Sequence, residues 1–187
     1  MIMHVVRVRP MGAKINEGGA IVWNGTDGTV SNCIFMRNSV GYPNTGGAIC
    51  WRGNDGKIIS SEFYENDAWC GSAIAWIGDN GTILSSTVAN STFFDGGIYW
   101  FGNNGTVKNS ILLGNGFRAA LGPFDANVKA DYNFWGDTLD NPNHETKIDS
   151  VTKWLVMKFT HNGELVKEGQ RVVIKYDITN LVDKDGN

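Results

Sequence analysis

The feature that most constrains this sequence is an internal repeat with four copies. The copies read GGAIVWNGTDGTV from Gly18, GGAICWRGNDGKI from Gly46, GSAIAWIGDNGTI from Gly71 and GGIYWFGNNGTV from Gly96. A tryptophan and a turn glycine recur in register, and both advance by 28, 25 and 24 residues. They stand at Trp23, Trp51, Trp76 and Trp100, and at Gly28, Gly56, Gly81 and Gly105. A repeat of this length is typical of solenoids, in which stacked coils share one continuous core.

Alternation within each copy predicts a β-strand. In the first copy Ile21 and Trp23 lie two residues apart, and the same pair recurs in every copy while the residue between them varies. A period of two places Ile and Trp on one face of a strand. Asp or Asn followed by Gly ends this strand, as in Asp27-Gly28, because such a pair tolerates positive φ and turns the chain sharply. A second strand is predicted next, reading VSNCIF from Val30 in the first copy.

Length varies at one place in the repeat, between a closing residue such as Asn38 or Asn66 and the start of the next copy. Strands locked in register cannot absorb insertions, whereas the loops that join successive coils can. Equivalent strands must then run parallel, and a parallel crossover is right-handed in nearly all proteins. We therefore expect an all-β fold, a right-handed single-stranded parallel β-helix with inward ladders of Ile and Trp. The opposite face assignment would point the small Ala20, Ala48 and Ala73 inward.

A second module is expected after the repeat fades. Charged residues number 11 of 98 over 18–115 but 11 of 37 over 151–187. The segments KWLVMKF and RVVIKYDI in the charged part, with turn signals between them, predict antiparallel strands that begin an Ig-like sandwich. Because the sequence stops inside that module, we expect a fragment of a longer chain. The expected division is a lead-in over 1–17, a β-helix of about five coils over 18–137, a linker over 138–150 and the partial Ig-like module over 151–187.

The end of the solenoid needs a closing group, because an open terminal coil offers unpaired backbone groups to other strands. Tyr132, Phe134 and Trp135 are predicted to close it.

Charge and cysteine content exclude several classes of partner and site. With 16 Lys and Arg against 19 Asp and Glu, the net charge of −3 favours neither nucleic acid nor an anionic membrane as a partner. The apolar runs are too short to span a bilayer, and the first residues do not resemble a signal peptide. Cys33, Cys50 and Cys70 cannot all pair with one another and lack zinc-site spacing, so we expect reduced thiols and no cofactor.

An enzymatic reading depends on a column of aspartates. Asp27 and Asp55 occupy equivalent positions, with Asp79 one position out of register. Stacked carboxylates about 5 Å apart would suit a retaining glycosidase, or a Ca²⁺ site. All three lie beside a turn glycine, where Asp and Asn are interchangeable, and the next copy uses Asn104. We therefore expect turn residues here, and neither an enzyme nor a metal site.

The edge where insertions collect is the predicted binding surface, because loops vary there without disturbing the strands. The segment 39–45 carries Tyr42 and the segment 67–70 carries Trp69, and exposed aromatic rings stack on sugars or anchor protein partners. The same rings could instead cap the corner of the coil. Four N-x-[ST] sequences could also carry glycans in an exported protein, at Asn24, Asn80, Asn90 and Asn104.

These motifs together resemble the adhesin-like surface proteins of methanogenic archaea. The resemblance rests on the GGAI-x-W units with their [DN]-G turns, on SNCIF, on DYNFWGD and on the KWLVM segment, in that order over 18–182. It implies a large, exported, extracellular protein of the cell surface with β-helix arrays and Ig-like repeats. Its partners would be a glycan or protein on another cell or the host cell wall, without membrane insertion of this segment. The rival prediction is a carbohydrate-active β-helix enzyme, a lyase or glycosidase.

Overall fold

The structure, a computed structural model, describes residues 4–6, 17–91, 96–114, 117–119, 126–136, 151–161, 174–183 and 185. All regular structure within these ranges is β-strand, and no helix occurs in them. Each coil gives one short strand to each of three sheets, and equivalent strands of successive coils pair in parallel. The all-β class and the parallel β-solenoid are therefore confirmed, whereas the right-handed sense of the coils stays a prediction.

The first sheet, named the Trp sheet, contains β2 (Ile21–Trp23), β5 (Ile49–Trp51), β8 (Ile74–Trp76), β11 (Ile98–Trp100) and β14 (Phe117–Ala119). The second, the Val sheet, contains β3 (Thr29–Ser31), β6 (Lys57–Ile59), β9 (Thr82–Leu84), β12 (Gly105–Lys108) and β15 (Val128–Lys129). The third, the Phe sheet, contains β1 (His4–Val6), β4 (Cys33–Met36), β7 (Glu62–Tyr64), β10 (Thr87–Ala89), β13 (Ile111–Leu113), β16 (Asn133–Phe134), β17 (Lys153–His161) and β18 (Ile174–Asp183). Strands β2 to β13 make four regular coils.

The predicted second strand of each copy is in fact two strands, so that prediction was wrong. A residue with positive φ separates the strands in each regular coil, namely Asn32, Ser60, Ser85 and Asn109. In three coils the next residue is a buried serine, Ser61, Ser86 or Ser110, and Ser86 Oγ accepts a hydrogen bond from Ser61 N at 3.2 Å. The left-handed residue redirects the chain, so the strands before and after it belong to different sheets. The serine hydroxyl hydrogen-bonds to a backbone group inside the corner.

The core consists of stacked identical side chains, as the repeat predicts. Register partners are Ile with Ile and Trp with Trp, for example Trp51 with Trp76. The indoles of Trp23, Trp51, Trp76 and Trp100 form one column with ring centroids 5.0, 4.9 and 4.8 Å apart and interplanar angles of 4–9°. The last three are fully buried, which confirms that Trp points inward. Ala48 and Ala73 also contact this core.

The column has one unfavourable feature, which concerns the indole N–H groups. The Nε1 atoms of Trp51, Trp76 and Trp100 are buried and have no hydrogen-bond partner in the described part of the chain. Each unpaired N–H costs about 1–3 kcal/mol. Burial of each indole and its stacking on one or two others offset that cost.

The C-terminal strands continue the solenoid. Strand β17 pairs in parallel with β16, and β18 pairs antiparallel with β17. Trp154 and Val156 of β17 are buried in the same hydrophobic cluster as Trp135, so the hairpin covers the last coil. The predicted strands at 154–159 and 171–178 correspond to β17 and part of β18. The Ig-like sandwich stays a prediction. The sequence also predicts a short strand at Leu165-Val166, and this segment and the linker lie outside the described residues.

Two of the three predicted closing residues are buried. Phe134 and Trp135 are 3% and 9% exposed. Tyr132 is half-buried with the Lys108 ammonium 4.7 Å from its ring centroid. Among the described residues, no helix has the length and apolar character needed to cross a bilayer.

Candidate binding site at the insertion edge

The coils are joined by loops along one edge of the stack, named the insertion edge and consisting of residues 39–45 and 67–70. Isolated parallel bridges pair Ser39 with Asp67 and Thr45 with Cys70. Between these fixed points the first coil has five residues and the second has two. The three extra residues therefore have to leave the wall of the solenoid, while the backbone on both sides stays in register.

A buried polar ladder fixes the wall beneath this edge. Asn66 Oδ1 accepts hydrogen bonds at 3.0 Å from both the backbone N and the side-chain Nδ2 of Asn38. Asn66 Nδ2 donates to the Phe35 carbonyl at 3.0 Å, and Ser91 Oγ accepts from Asn66 N at 3.2 Å. The closing residue of the repeat therefore has a structural role at the corner of the coil, since its side chain hydrogen-bonds to buried backbone groups.

The extra residues form a tight loop held at its base. Asn44 donates from its backbone N and from Nδ2 to the Gly41 carbonyl, at 3.0 and 2.6 Å. The Asn44 carbonyl in turn accepts from the backbone N of Trp69 at 3.1 Å, and the Tyr42–Pro43 peptide bond is cis. The loop is thus tied both to itself and to the next coil.

The loop places Tyr42 against Trp69. Their ring centroids are 4.5 Å apart and the ring planes meet at 84°, so the rings form a T-shaped pair. Trp69 is half-buried, whereas Tyr42 is 74% exposed. The structure therefore brings together the two residues that the sequence singled out. The pair caps part of the corner and still leaves most of the tyrosine to solvent.

Charged residues flank the pair on the same outer surface. Glu65, Asp67 and Trp69 alternate with the buried Asn66 and Ala68, so all three point away from the core. Asp67 Oδ2 accepts a long hydrogen bond of 3.4 Å from Ser39 Oγ.

Glu65 is the partner of a cation from the coil before it. Arg37 Nε lies 2.5 Å from Glu65 Oε2. The hydrogen bond from Arg37, and then its charge, hold the pKa of the Glu65 carboxyl below its usual value. Sequence reasoning missed Arg37 and Glu65, although their equivalent positions in successive coils were a usable signal, and it gave Asp67 no role.

The aspartate column belongs to a different, exposed ladder. Asp55 Oδ1 accepts from Asn80 Nδ2 at 3.0 Å, and Asn80 Oδ1 accepts from Asn104 Nδ2 at 3.2 Å. Asp79 Oδ1 accepts from the backbone N of Asn103 at 2.7 Å. Asp27, Asp55, Asn80 and Asn104 all have φ near 57°. These side chains therefore connect one turn to the next, in the way that the sequence predicts for turn residues.

The candidate glycan acceptors differ in their surroundings. All four asparagines are exposed, and the amides of Asn80 and Asn104 are also hydrogen-bonded in the ladder just described. The described residues contain no group of three or more His, Cys, Asp or Glu side chains that could hold a metal ion.

A second polar group lies outside the Trp sheet and was not predicted. Arg52 pairs with Glu17, with Nε donating to Oε2 at 2.8 Å. The Cys50 thiol lies beneath this pair and donates to the same carboxylate at 3.7 Å. Burial, and then the charge of Glu17, raise the pKa of that thiol. None of the three cysteines forms a disulfide bond.

These features define the class as a parallel β-solenoid repeat protein with a loop-bearing edge. Comparison with family models, with curated proteins and with solved structures found no match for the chain.

Proposed function

We propose that this chain is a structural and interaction module of an adhesin-like cell-surface protein. The solenoid acts as a rigid support that displays loops for attachment to a glycan or protein of another cell, or to the host cell wall. The localisation in this proposal is extracellular, and the archaeal kinship is the one that the repeat motifs imply. Its mechanism is binding, without a reaction or a cofactor.

One observation carries the proposal: a mostly exposed aromatic ring is fixed in place at the one edge where the repeat tolerates insertions. Tyr42 is 74% exposed, yet the loop that bears it has hydrogen bonds at its base and an aromatic contact with Trp69. A ring that is already ordered loses little conformational entropy when it binds a partner. Exposed, preordered Tyr and Trp side chains are typical anchors of interfaces.

The alternative function is that of a carbohydrate-active enzyme. The hydrogen bonds of the aspartate ladder favour the binding module over this enzyme. General acid–base catalysis needs a carboxylate directed at substrate. Asp55 and Asp79 instead accept hydrogen bonds from the next coil, from Asn80 and from the backbone of Asn103.

The test measures attachment. Beads coated with the whole chain are incubated with candidate host cells, cell-wall preparations and a glycan panel, and retained material is counted. We expect retention that falls at least about tenfold for Tyr42→Ala, since aromatic anchors carry a large share of binding energy. Phe101→Ala is the matched control, because Phe101 is also an exposed ring but lies on the Trp-sheet side of the coil.

Equal retention by Tyr42→Ala and the unaltered chain would contradict the proposed site. Release of shortened glycan products that stops in Asp55→Asn would favour the enzyme.

A further inference from the structure

The geometry of the aromatic pair restricts what can bind there. Two rings that meet at 84° with centroids 4.5 Å apart form an inner corner on each side of the T, rather than one flat platform. A sugar stacks on a flat face, so this pair would offer it only one ring at a time. A compact group placed in the corner can contact both Tyr42 and Trp69.

The carboxylate beside the aromatic corner indicates that a group bound there would carry a positive charge. Asp67 is exposed and stands two residues before Trp69 on the same outer face. Within the described ranges the Asp67 carboxylate accepts the long hydrogen bond from Ser39, and no Lys or Arg forms an ion pair with it. The neighbouring Glu65 is already paired with Arg37. The carboxylate next to the rings therefore has charge available for a ligand.

We propose that this corner binds an organic ammonium group, with the Tyr42 and Trp69 rings as its walls and the Asp67 carboxylate as its counter-ion. Aromatic faces attract cations within about 6 Å of a ring centroid, and a nearby carboxylate adds direct attraction. The inference rests on the proposed function for the site's location, and it names the ligand chemistry. A lysine side chain, a quaternary ammonium headgroup and an amino sugar all present this group.

The experiment is calorimetric titration of the whole chain at low salt with choline and with 3,3-dimethyl-1-butanol, its neutral isostere. Because the two probes share a shape, their difference reports the charge alone. We expect choline to bind about tenfold more tightly than the isostere. Added salt should weaken choline binding, because exposed charges are screened.

Variants assign the binding to the corner. Tyr42→Ala should abolish choline binding, whereas Tyr42→Phe should keep it within about twofold, because the ring face is retained. Asp67→Asn should weaken it about fivefold, through loss of the counter-ion. Glu65→Gln is the matched carboxylate control and should leave it unchanged. All three positions are at the surface, so unchanged melting temperatures will establish that the four variants are folded.

Nα-acetyl-lysine methyl ester and glucosamine, titrated in the same way, distinguish the sources of the ammonium group. Binding of any of the three cations that is lost in Tyr42→Ala supports the site, and their ranking identifies the source. The proposal would be overturned if choline and its isostere bind equally and neither of the other two cations binds in a way that Tyr42→Ala abolishes. Choline binding that persists in both Tyr42→Ala and Asp67→Asn would also overturn it. Cation binding without cell or glycan attachment would reject the proposed function alone. Attachment that depends on Tyr42 without cation binding would reject the ammonium site alone.

Discussion

The Cα atom of Gly56 lies against the indole of Trp51 in the same coil. A Cβ built at position 56 would come within 2.2 Å of Cε2 and Nε1 of that ring, and the equivalent contact recurs at Gly28, Gly81 and Gly105. The preceding residue, Asp55, has the positive φ of 60°. The turn glycine is therefore required by packing, while the aspartate provides the left-handed turn. The tryptophan and the turn glycine that recur in register in the sequence are therefore the two residues that contact each other in the structure.

Gly56→Ala tests this contact. The added methyl group would have to displace a buried indole that is stacked on both sides, and overpacking of this kind costs about 3 kcal/mol. The matched control is Gly41→Ala, because a Cβ there meets nothing within 4 Å, so its effect should stay within about 1 kcal/mol. Urea unfolding of the two variants measures both values. Equal stability of the two would show that the indole does not need the glycine.

Trp76→Ala should be among the most destabilising single changes. Its indole is fully buried between those of Trp51 and Trp100, so removal leaves a cavity that costs about 3–5 kcal/mol. Trp23 stacks on one indole only and is partly exposed, so Trp23→Ala should cost about half as much. Thermal unfolding followed by circular dichroism compares the two. A larger loss for Trp23→Ala would contradict the order of the column.

Asn66→Ala should remove the centre of the buried ladder. The change leaves two donors of Asn38 and the Phe35 carbonyl without their partner, which costs about 2–3 kcal/mol. Asn54→Ala is the control, since Asn54 accepts one hydrogen bond from Asp79 N on the exposed surface and should cost about 1 kcal/mol or less. The midpoints of denaturant unfolding compare the stability losses of the two variants. A smaller loss for Asn66→Ala than for Asn54→Ala would contradict a structural role for Asn66 in the corner.

The Arg37–Glu65 ion pair predicts that its contribution to the free energy of unfolding changes with pH only in the acidic range. The pKa of Glu65 is lowered in the folded chain, so the pair's contribution is present above the unfolded carboxyl pKa and is lost as pH falls through the folded value. Arg37→Gln should raise the Glu65 midpoint towards its ordinary value, measured by NMR titration of the carboxyl carbon. The same midpoint with and without Arg37 would show that the pair does not form in solution.

The repeat determined much of the fold, because its signals are local contacts between equivalent residues. Trp51 and Gly56 mark a strand and its turn, and their spacing requires the next coil to lie in register. The corners between β6 and β7 and between β9 and β10 were not predictable in the same way, since Ser60 and Ser85 adopt a left-handed conformation that serine rarely takes. The inward Ser61 that compensates for it resembles any surface serine in sequence.

The candidate site was predictable in part. Tyr42 and Trp69 were identified because insertions concentrate at one edge, and that follows from strand register. Their right-angled contact and the position of Asp67 depend on how a particular loop folds back, which composition does not encode. The hairpin of β17 and β18 was expected as a separate module. Its pairing with β16 depends on a long-range contact between Trp154 and the last coil, and no repeat signals that contact.

The most direct test of the stacked-coil account is a set of nuclear Overhauser contacts among indole protons in a deuterated chain. The parallel stack predicts contacts from Trp23 to Trp51, from Trp51 to Trp76 and from Trp76 to Trp100, because neighbouring ring centroids are 4.8–5.0 Å apart. It predicts none between Trp23 and Trp100, which stand at opposite ends of the column. Indoles without mutual contacts, or a contact that joins the two ends, would contradict the parallel stack.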